Sequence, residues 1–435
     1  MFSATAFVDI KYLREAGYAS RKVARKAFFQ KTRLLYDFDY ESDRLVLVQG
    51  LMLMTYWYET PDDQKDTWHW MGVAISLAHT IGLHRNPETT SMSVPKQRLW
   101  KRVWWSCFMR DRLIALGMRR PTRIKDEDFD VPMLVESDFE IQALPDSNSV
   151  IAPECTLMRD VAMQRELAVL CITKARLCIC ISHMLMAQYS VLIRDKMKPE
   201  NTTNSTMMLF PNKQPGNVEG LHAVNLELWA WRDVMGAWSR PLTPLDVNDG
   251  RSTIAVQRTL LHMVYHTTVS ALHRPQFLPS SPVQAPITSR QAQDLSRLRV
   301  RDAASQITCM ATQLHHLRLE RFLPTTGVTV ILPAMIIHLL EMKNPGHDEF
   351  DWNAVAGTDF DVDQWLQFPP EGVNEGGFGL EGNEGGFGLE GNECDETESK
   401  VMAQMLNLEQ LADDGDEMTM TGEPGNASIE LRTQT

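Results

Sequence analysis

The 435 residues carry 56 Asp and Glu against 43 Lys and Arg, a net charge of −13, and the acidic excess sits at one end. Residues 348–435 hold 22 acidic and 2 basic side chains, a net −20 that leaves +7 on residues 1–347, so a mildly basic body precedes a strongly acidic tail. Seven cysteines, an odd number, argue against a disulfide framework and for a reducing compartment, nucleus or cytosol; Asp9 interrupts the apolar N-terminus, which does not read as a secretory signal.

The length suits two or three domains of ordinary size, and 11 Trp with 24 Met suit a helical core of large, adaptable side chains. Residues 1–36 repeat Lys11, Arg14, Arg21, Lys22, Arg25, Lys26, Lys31 and Arg33 at helical spacing. A nuclear-import or nucleic-acid patch would want a compact basic run, which is missing. A solvated helix face backed by Val23, Ala24, Ala27, Phe28, Leu34 and Leu35 is the better reading. Residues 45–58 are apolar nearly all round, the pattern of a central buried helix.

Residues 66–131 hold the strongest periodicity. Trp68, Met71, Ala74, Ile75, Ala78, Ile81 and Gly82 fall on one face of a helix that Pro87 stops. A second helix carries Trp100, Val103, Trp104, Cys107, Phe108, Asp111 and Ile114 on one stripe, with Arg98, Lys101, Arg102, Arg110 and Arg112 mostly on other faces. A carboxylate on an aromatic stripe needs a cation, so Asp111 is predicted to pair with Arg112, Arg119 or Arg120.

Beyond residue 131, Pro132, Pro145 and Pro153 mark a loop-rich crossing. A helical pattern then runs over 158–198. Within it, residues 177–193 are uncharged for 17 residues, the lower bound of a membrane span, but His183, Gln188 and two serines make it a buried helix, with no membrane partner. A mobile loop is expected near 199–220, and helices over 221–238, 253–272, 289–319 and 328–342. No stretch shows strand alternation. The fold class is therefore all-α, a multi-helix globular body over 1–344 with a disordered acidic tail over 345–435.

In that tail NEGGFGLEG fills residues 374–382 and repeats unchanged at 383–391, too little apolar surface for a core. Residues 359–368, DFDVDQWLQF, differ. Val362, Trp365 and Leu366 share one helical face, flanked by Phe360 and Phe368 and solvated by Asp359, Asp361 and Asp363, the pattern of a segment that folds in a partner's groove. Phe360, Val362, Trp365, Leu366 and Phe368 are the candidate partner-binding residues.

Enzyme chemistry finds no support. His262 and His266 are four apart, but Met263 stands where a zinc protease needs its glutamate, and no third ligand is evident. Cys171, Cys178, Cys180 and His183 cluster in sequence, yet helical residues two apart point about 200° apart, so these read as core thiols. No phosphate loop or nucleophile elbow occurs, so no catalytic, metal or DNA-binding residue is assigned.

Gly72, Ala74, Ala78 and the run Gly82, Leu83, His84, Arg85 precede Trp104, Trp105, Asp111, Arg112, Gly117, Arg120, Pro121, Ile124, Asp126, Asp128 and Asp130. With Ala271, Leu272, His273, Arg274 and Pro275, this series resembles the fungal-specific transcription factor domain over roughly residues 7–280, and residues 116–124 are most similar to the cutinase-gene activator subgroup. Gly82, His84, Arg85, Asp111, Arg112, Arg120 and Pro121 are its structural motif. The resemblance implies an all-helical regulatory domain in a nuclear regulator of a fungal gene set, catabolic or secondary-metabolite, with a coactivator or other regulator as partner and a small-molecule effector. In the family further helices precede this segment, so the chain reads as N-terminally truncated, which would leave Ala6, Phe7, Phe28 and residues 45–58 under-covered and favour self-association or heterodimerisation. The family's six-cysteine zinc cluster needs Cys-x-x-Cys pairs and none exists here, so no cofactor is expected in this chain, zinc only with an upstream cysteine cluster, and DNA is reached indirectly. The alternative is a helical ligand-binding or scaffold protein that has lost transcriptional function.

Overall fold

Capping residues set the helix starts. Asp9 opens α1 (Ile10–Glu15), Ser20 α2 (Arg21–Asp37), Asp43 α3 (Arg44–Met54) and Asp66 α4 (Thr67–Thr80), each side chain accepting a first-turn amide. A proline in the first turn starts α5 (Val94–Met118), and Arg119, left-handed at φ 51°, ends it. Asp160 caps α6 (Val161–Gln188), followed by α7 (Val218–Met235), α8 (Ser252–Phe277), α9 (Arg290–His316) and α10 (Thr326–Lys343). The computed structural model describes residues 1–57, 65–145, 147–151, 155–192, 207–211, 218–236, 250–277 and 290–343. The predicted tail lies outside them, as does most of the expected loop near 199–220.

The helices pack around α5, α6 and α8. α5 touches α4, α6 and α10; α6 touches α7 and α8; α8 runs along α9, on which α10 also rests. The main core joins Trp104, Phe108, Ile124, Leu177, Ile181, Leu228 and Leu272. A smaller cluster of Phe2, Phe29, Leu51, Met54, Trp57, Trp70 and Ala74 ties α2 and α3 to α4.

Four local expectations are corrected. The helical pattern over 158–198 ends at Gln188, and Tyr189–Leu192 (β1) pairs antiparallel with Met208–Pro211 (β2), Tyr189 opposite Pro211 and Leu192 opposite Met208. Among the described residues the body is thus mostly helical with one short ribbon, held to the end of α5 by the Leu209 N–H, which donates to the Arg119 carbonyl at 2.7 Å. The second correction concerns α5. It is buried on nearly every side, Lys101, Arg110 and Arg112 included, because each cation meets a partner distant in sequence or on another face. Lys101 Nζ lies 2.9 Å from Asp138. Arg110 donates to Thr55 Oγ1 and the Thr55 carbonyl, both at 2.8 Å, and stacks on Tyr56.

Third, α3 is marginal, not central. Val48, Leu51 and Met54 face inward, towards α4, α5 and Phe29 of α2, but Val46 and Leu53 on the other side of α3 remain 45% and 51% exposed. Fourth, α2 buries Ala24 and Phe29, whereas Val23, Leu34 and Leu35 face solvent.

Candidate functional site

The loop after α4 is built for a tight reversal. Gly82 stands at φ +81°, and beyond it the Leu83 N–H donates to the Ala78 carbonyl at 3.0 Å while the Gly82 N–H donates to the His79 carbonyl at 3.1 Å, a Schellman closure with Leu83 sealed into the core. A Cβ at Gly82 would meet nothing within 4 Å, so the requirement is conformational alone. Gly82→Ala is expected to cost about 1–2 kcal/mol in a denaturation midpoint, the penalty of a left-handed backbone for a residue with a Cβ.

His84 and Arg85 then fasten this loop to the segment after α5. The His84 carbonyl accepts the Asp130 N–H at 3.1 Å, Asp130 Oδ1 accepts the Asn86 N–H at 2.8 Å, and Arg85 reaches Asp130 at 3.2 Å. The His84 ring sits 4.9 Å from His79 and 6.2 Å from Trp104. Burial, then His79 and Arg85, hold its imidazole below the ordinary value.

Asp111 takes Arg112 as its cation, Nη1 to Oδ2 at 2.8 Å, with both side chains 1% exposed. The Arg123 and Ile124 amides donate to the same carboxylate, at 3.0 and 3.2 Å on Oδ2, so the loop beyond Pro121 is hung from the middle of α5. Burial pushes the Asp111 carboxyl up, against the pull of Arg112 and these amides. Arg112 lies over Phe108 and turns its other nitrogen to Asp126 at 3.1 Å. Asp126 accepts from Ser182 Oγ on α6, and His183 beside it meets Glu227 of α7 at 2.7 Å. This polar chain runs from α5 through the 123–126 loop to α6 and α7. Its contacts link these four elements through charged and polar side chains.

Pro121 offers its carbonyl to Trp68 Nε1 at 3.1 Å, just as the Pro132 carbonyl takes Trp105 Nε1 at 2.8 Å. Arg120 donates to the Met207 carbonyl at 3.0 Å and approaches Asp66 at 3.5 Å. The structure therefore gathers Arg120, Pro121, Asp111 and Arg112 around one loop and places Gly82, His84 and Arg85 on the reversal that this loop's continuation secures.

Among the described residues no group of three or more His, Cys, Asp or Glu is placed to hold a metal ion. Cys107, Cys178 and Cys180 are buried thiols that burial pushes up to about 12. α6 is long and apolar enough to cross a membrane, but over half of its most apolar window is buried among other helices, as a core helix requires. Phe360, Val362, Trp365, Leu366 and Phe368 lie outside the described residues.

His266 and His273 are both buried on α8, and periodicity gave no sign of His273 as a buried polar group. His273 Nε2 faces Asn225 Oδ1 of α7 at 3.1 Å and Nδ1 faces Ser296 Oγ of α9 at 3.2 Å, so a neutral ring, with its proton on Nε2, joins three helices. Burial drives both imidazoles down to about 3. The polar residues facing His273 are separated from it by 48 and 23 positions, which no local pattern reports.

Residues 1–233 match the fungal specific transcription factor domain, a shorter span than the sequence motifs suggested, and the helix bearing Ala271 to Pro275 falls beyond it. The chain is 80% identical over 347 residues to cutinase transcription factor 1 beta of Fusarium vanettenii, covering 79% of this chain and 39% of that protein. It is 31% identical over 349 residues to transcription factor cpaR of Aspergillus oryzae, 79% of this chain and 56% of the relative. Over 122 residues it is 35% identical to the acetamidase regulatory protein of Aspergillus fumigatus, 28% of this chain and 16% of that one. The chain thus spans about two fifths to just over half the length of the first two relatives. No solved structure matches. With more than half its length matched by that domain, the chain belongs to the fungal specific transcription factor domain family, a family of transcription factors and not of enzymes.

Proposed function

We propose that this chain is the regulatory body and activation segment of a nuclear fungal transcriptional regulator acting on catabolic or secondary-metabolite genes. The observation that carries the reading is its 80% identity over 347 residues to cutinase transcription factor 1 beta. Relatives named for cutinase and acetamidase favour genes of nutrient breakdown. No Cys-x-x-Cys occurs in these 435 residues, so zinc-cluster contact with DNA is made from outside them. The exposed Leu34, Leu35, Phe38, Val46 and Leu53 support association with a second copy or another regulator.

In this proposal the segment 345–435 recruits a coactivator. Its DFDVDQWLQF stretch has too few apolar groups to offset about 1–2 kcal/mol of backbone entropy per residue alone, and it folds against a groove with Trp365 as anchor and Phe360, Val362, Leu366 and Phe368 around it. Fused to a heterologous DNA-binding domain, residues 345–435 are expected to activate a reporter, and Trp365→Ala to remove most of that activity. A silent fusion, or one indifferent to Trp365, would favour the second reading, a helical ligand-binding or scaffold protein.

A further inference from the structure

Two guanidinium groups share one indole at the start of α4. Arg123 Cζ lies 3.5 Å from the Trp68 ring centroid and Arg120 Cζ 5.4 Å from it. Arg120 is committed, to the Met207 carbonyl and to Asp66. Arg123 is not. Among the described residues its guanidinium has no ion pair, and its Nε is buried without a hydrogen-bond partner.

The position is nonetheless built. Gly72 stands one turn beyond Trp68 on the same face of α4, and a Cβ there would come within 2.6 Å of Arg123 Cζ and 2.9 Å of its Nε and Nη1. A glycine inside a helix costs about 1 kcal/mol relative to alanine, and here it makes the room in which the guanidinium lies flat between helix backbone and indole. Burial holds the Arg123 guanidinium below its ordinary value, with Asp111 and Asp66 opposing. His69, next to Trp68, is lowered by burial and then by Lys65 and Arg123 against Asp66, so the surroundings are cationic. Asp111 and Asp66 act on this half-buried cation only from beyond ion-pair distance, so among the described residues its guanidinium, stacked on tryptophan, still has room for an anion in direct contact.

We propose that Arg123 and Arg120, stacked on Trp68, form a binding site for a small molecule bearing a two-oxygen anion, a carboxylate or a phosphate. The fork of Arg123 takes the two oxygens, and the rim of Trp68 packs against the ligand's body. Asp66 is the built-in competitor, a carboxylate already at 3.5 Å from Arg120. The site uses no residue of the segment 345–435, so this proposal and the activation reading can each fail without the other.

The test is titration of the full chain with sodium phosphate in one arm and sodium hexanoate in the other, at constant ionic strength, read by calorimetry and by melting temperature. Saturable binding is expected in at least one arm, and the arm that saturates at lower concentration identifies the ligand class. Arg123→Gln should weaken that binding at least tenfold, and Gly72→Ala, which displaces the guanidinium and keeps its charge, should do the same. Asp66→Asn keeps an N-cap side chain and removes the competing charge, so it should tighten binding several-fold while the fold is retained. Absence of saturation in both arms, or an Asp66→Asn chain that binds no better than the natural one, would overturn the site.

Discussion

Asp111→Ala is expected to destabilise the helical body by about 3–5 kcal/mol, the range for breaking a buried pair by removing one partner. The carboxylate and the Arg112 guanidinium are each 1% exposed and 2.8 Å apart, so water cannot replace what is lost. Asp126 still holds one Arg112 nitrogen, but the amides of Arg123 and Ile124 lose their acceptor, and each buried orphan adds a desolvation penalty. Against a total stability of about 5–15 kcal/mol for a typical domain, this is a large fraction. Urea denaturation of the variant gives the number. A midpoint equal to that of the natural chain would show that the pair contributes nothing.

Acid should loosen the fold well above the range in which carboxylates ordinarily titrate. In the unfolded chain His266 and His273 each take up a proton near pH 6.5, the ordinary histidine value, whereas in the folded chain burial delays this to about 3. Between those values the unfolded state holds more protons, so stability is full above pH 6.5 and falls as pH drops towards 3. At pH 5 the loss is about 2 kcal/mol per histidine, about 4 kcal/mol for the two. Asp111 and Asp302 act in the opposite direction, because burial raises their carboxyls and the folded chain then binds their protons first. The histidine part is isolated by His266→Phe, which leaves an aromatic ring beside Tyr265. Denaturation at pH 7 and pH 5 should show the variant losing about 2 kcal/mol less than the natural chain; an identical loss would remove His266 from the account.

What the sequence made legible follows from local periodicity and from the cost of buried charge. The inward faces of α4 and α5 could be read from spacings of three and four, and Asp111 had to have a cation because it shared a stripe with Trp104 and Phe108. The positions that escaped depend on partners far along the chain. Lys101 and Arg110 looked solvent-facing until Asp138 and Thr55 supplied their contacts. Leu34 and Leu35 looked buried until Ala24 and Phe29 took the inward face of α2. Arg123 left one local trace, a glycine inside α4 a turn after a tryptophan, and that trace means little until the loop carrying the arginine is folded against it. The β-ribbon left none, since four residues a side are too few to establish an alternation.

That ribbon bears on how the family can diverge in length. β1 follows α6 directly, and β2 is tethered to the Arg119 carbonyl through Leu209, so both ends of the intervening chain are fixed by backbone hydrogen bonds whatever lies between them. Closing a loop across such a clamp depends only logarithmically on its length, each doubling adding about 0.6 kcal/mol. Insertions or deletions between residues 192 and 207 should therefore be tolerated by the helical core at little cost, whereas a change in the spacing from Asp111 to Ile124 should cost that loop the single carboxylate from which it hangs.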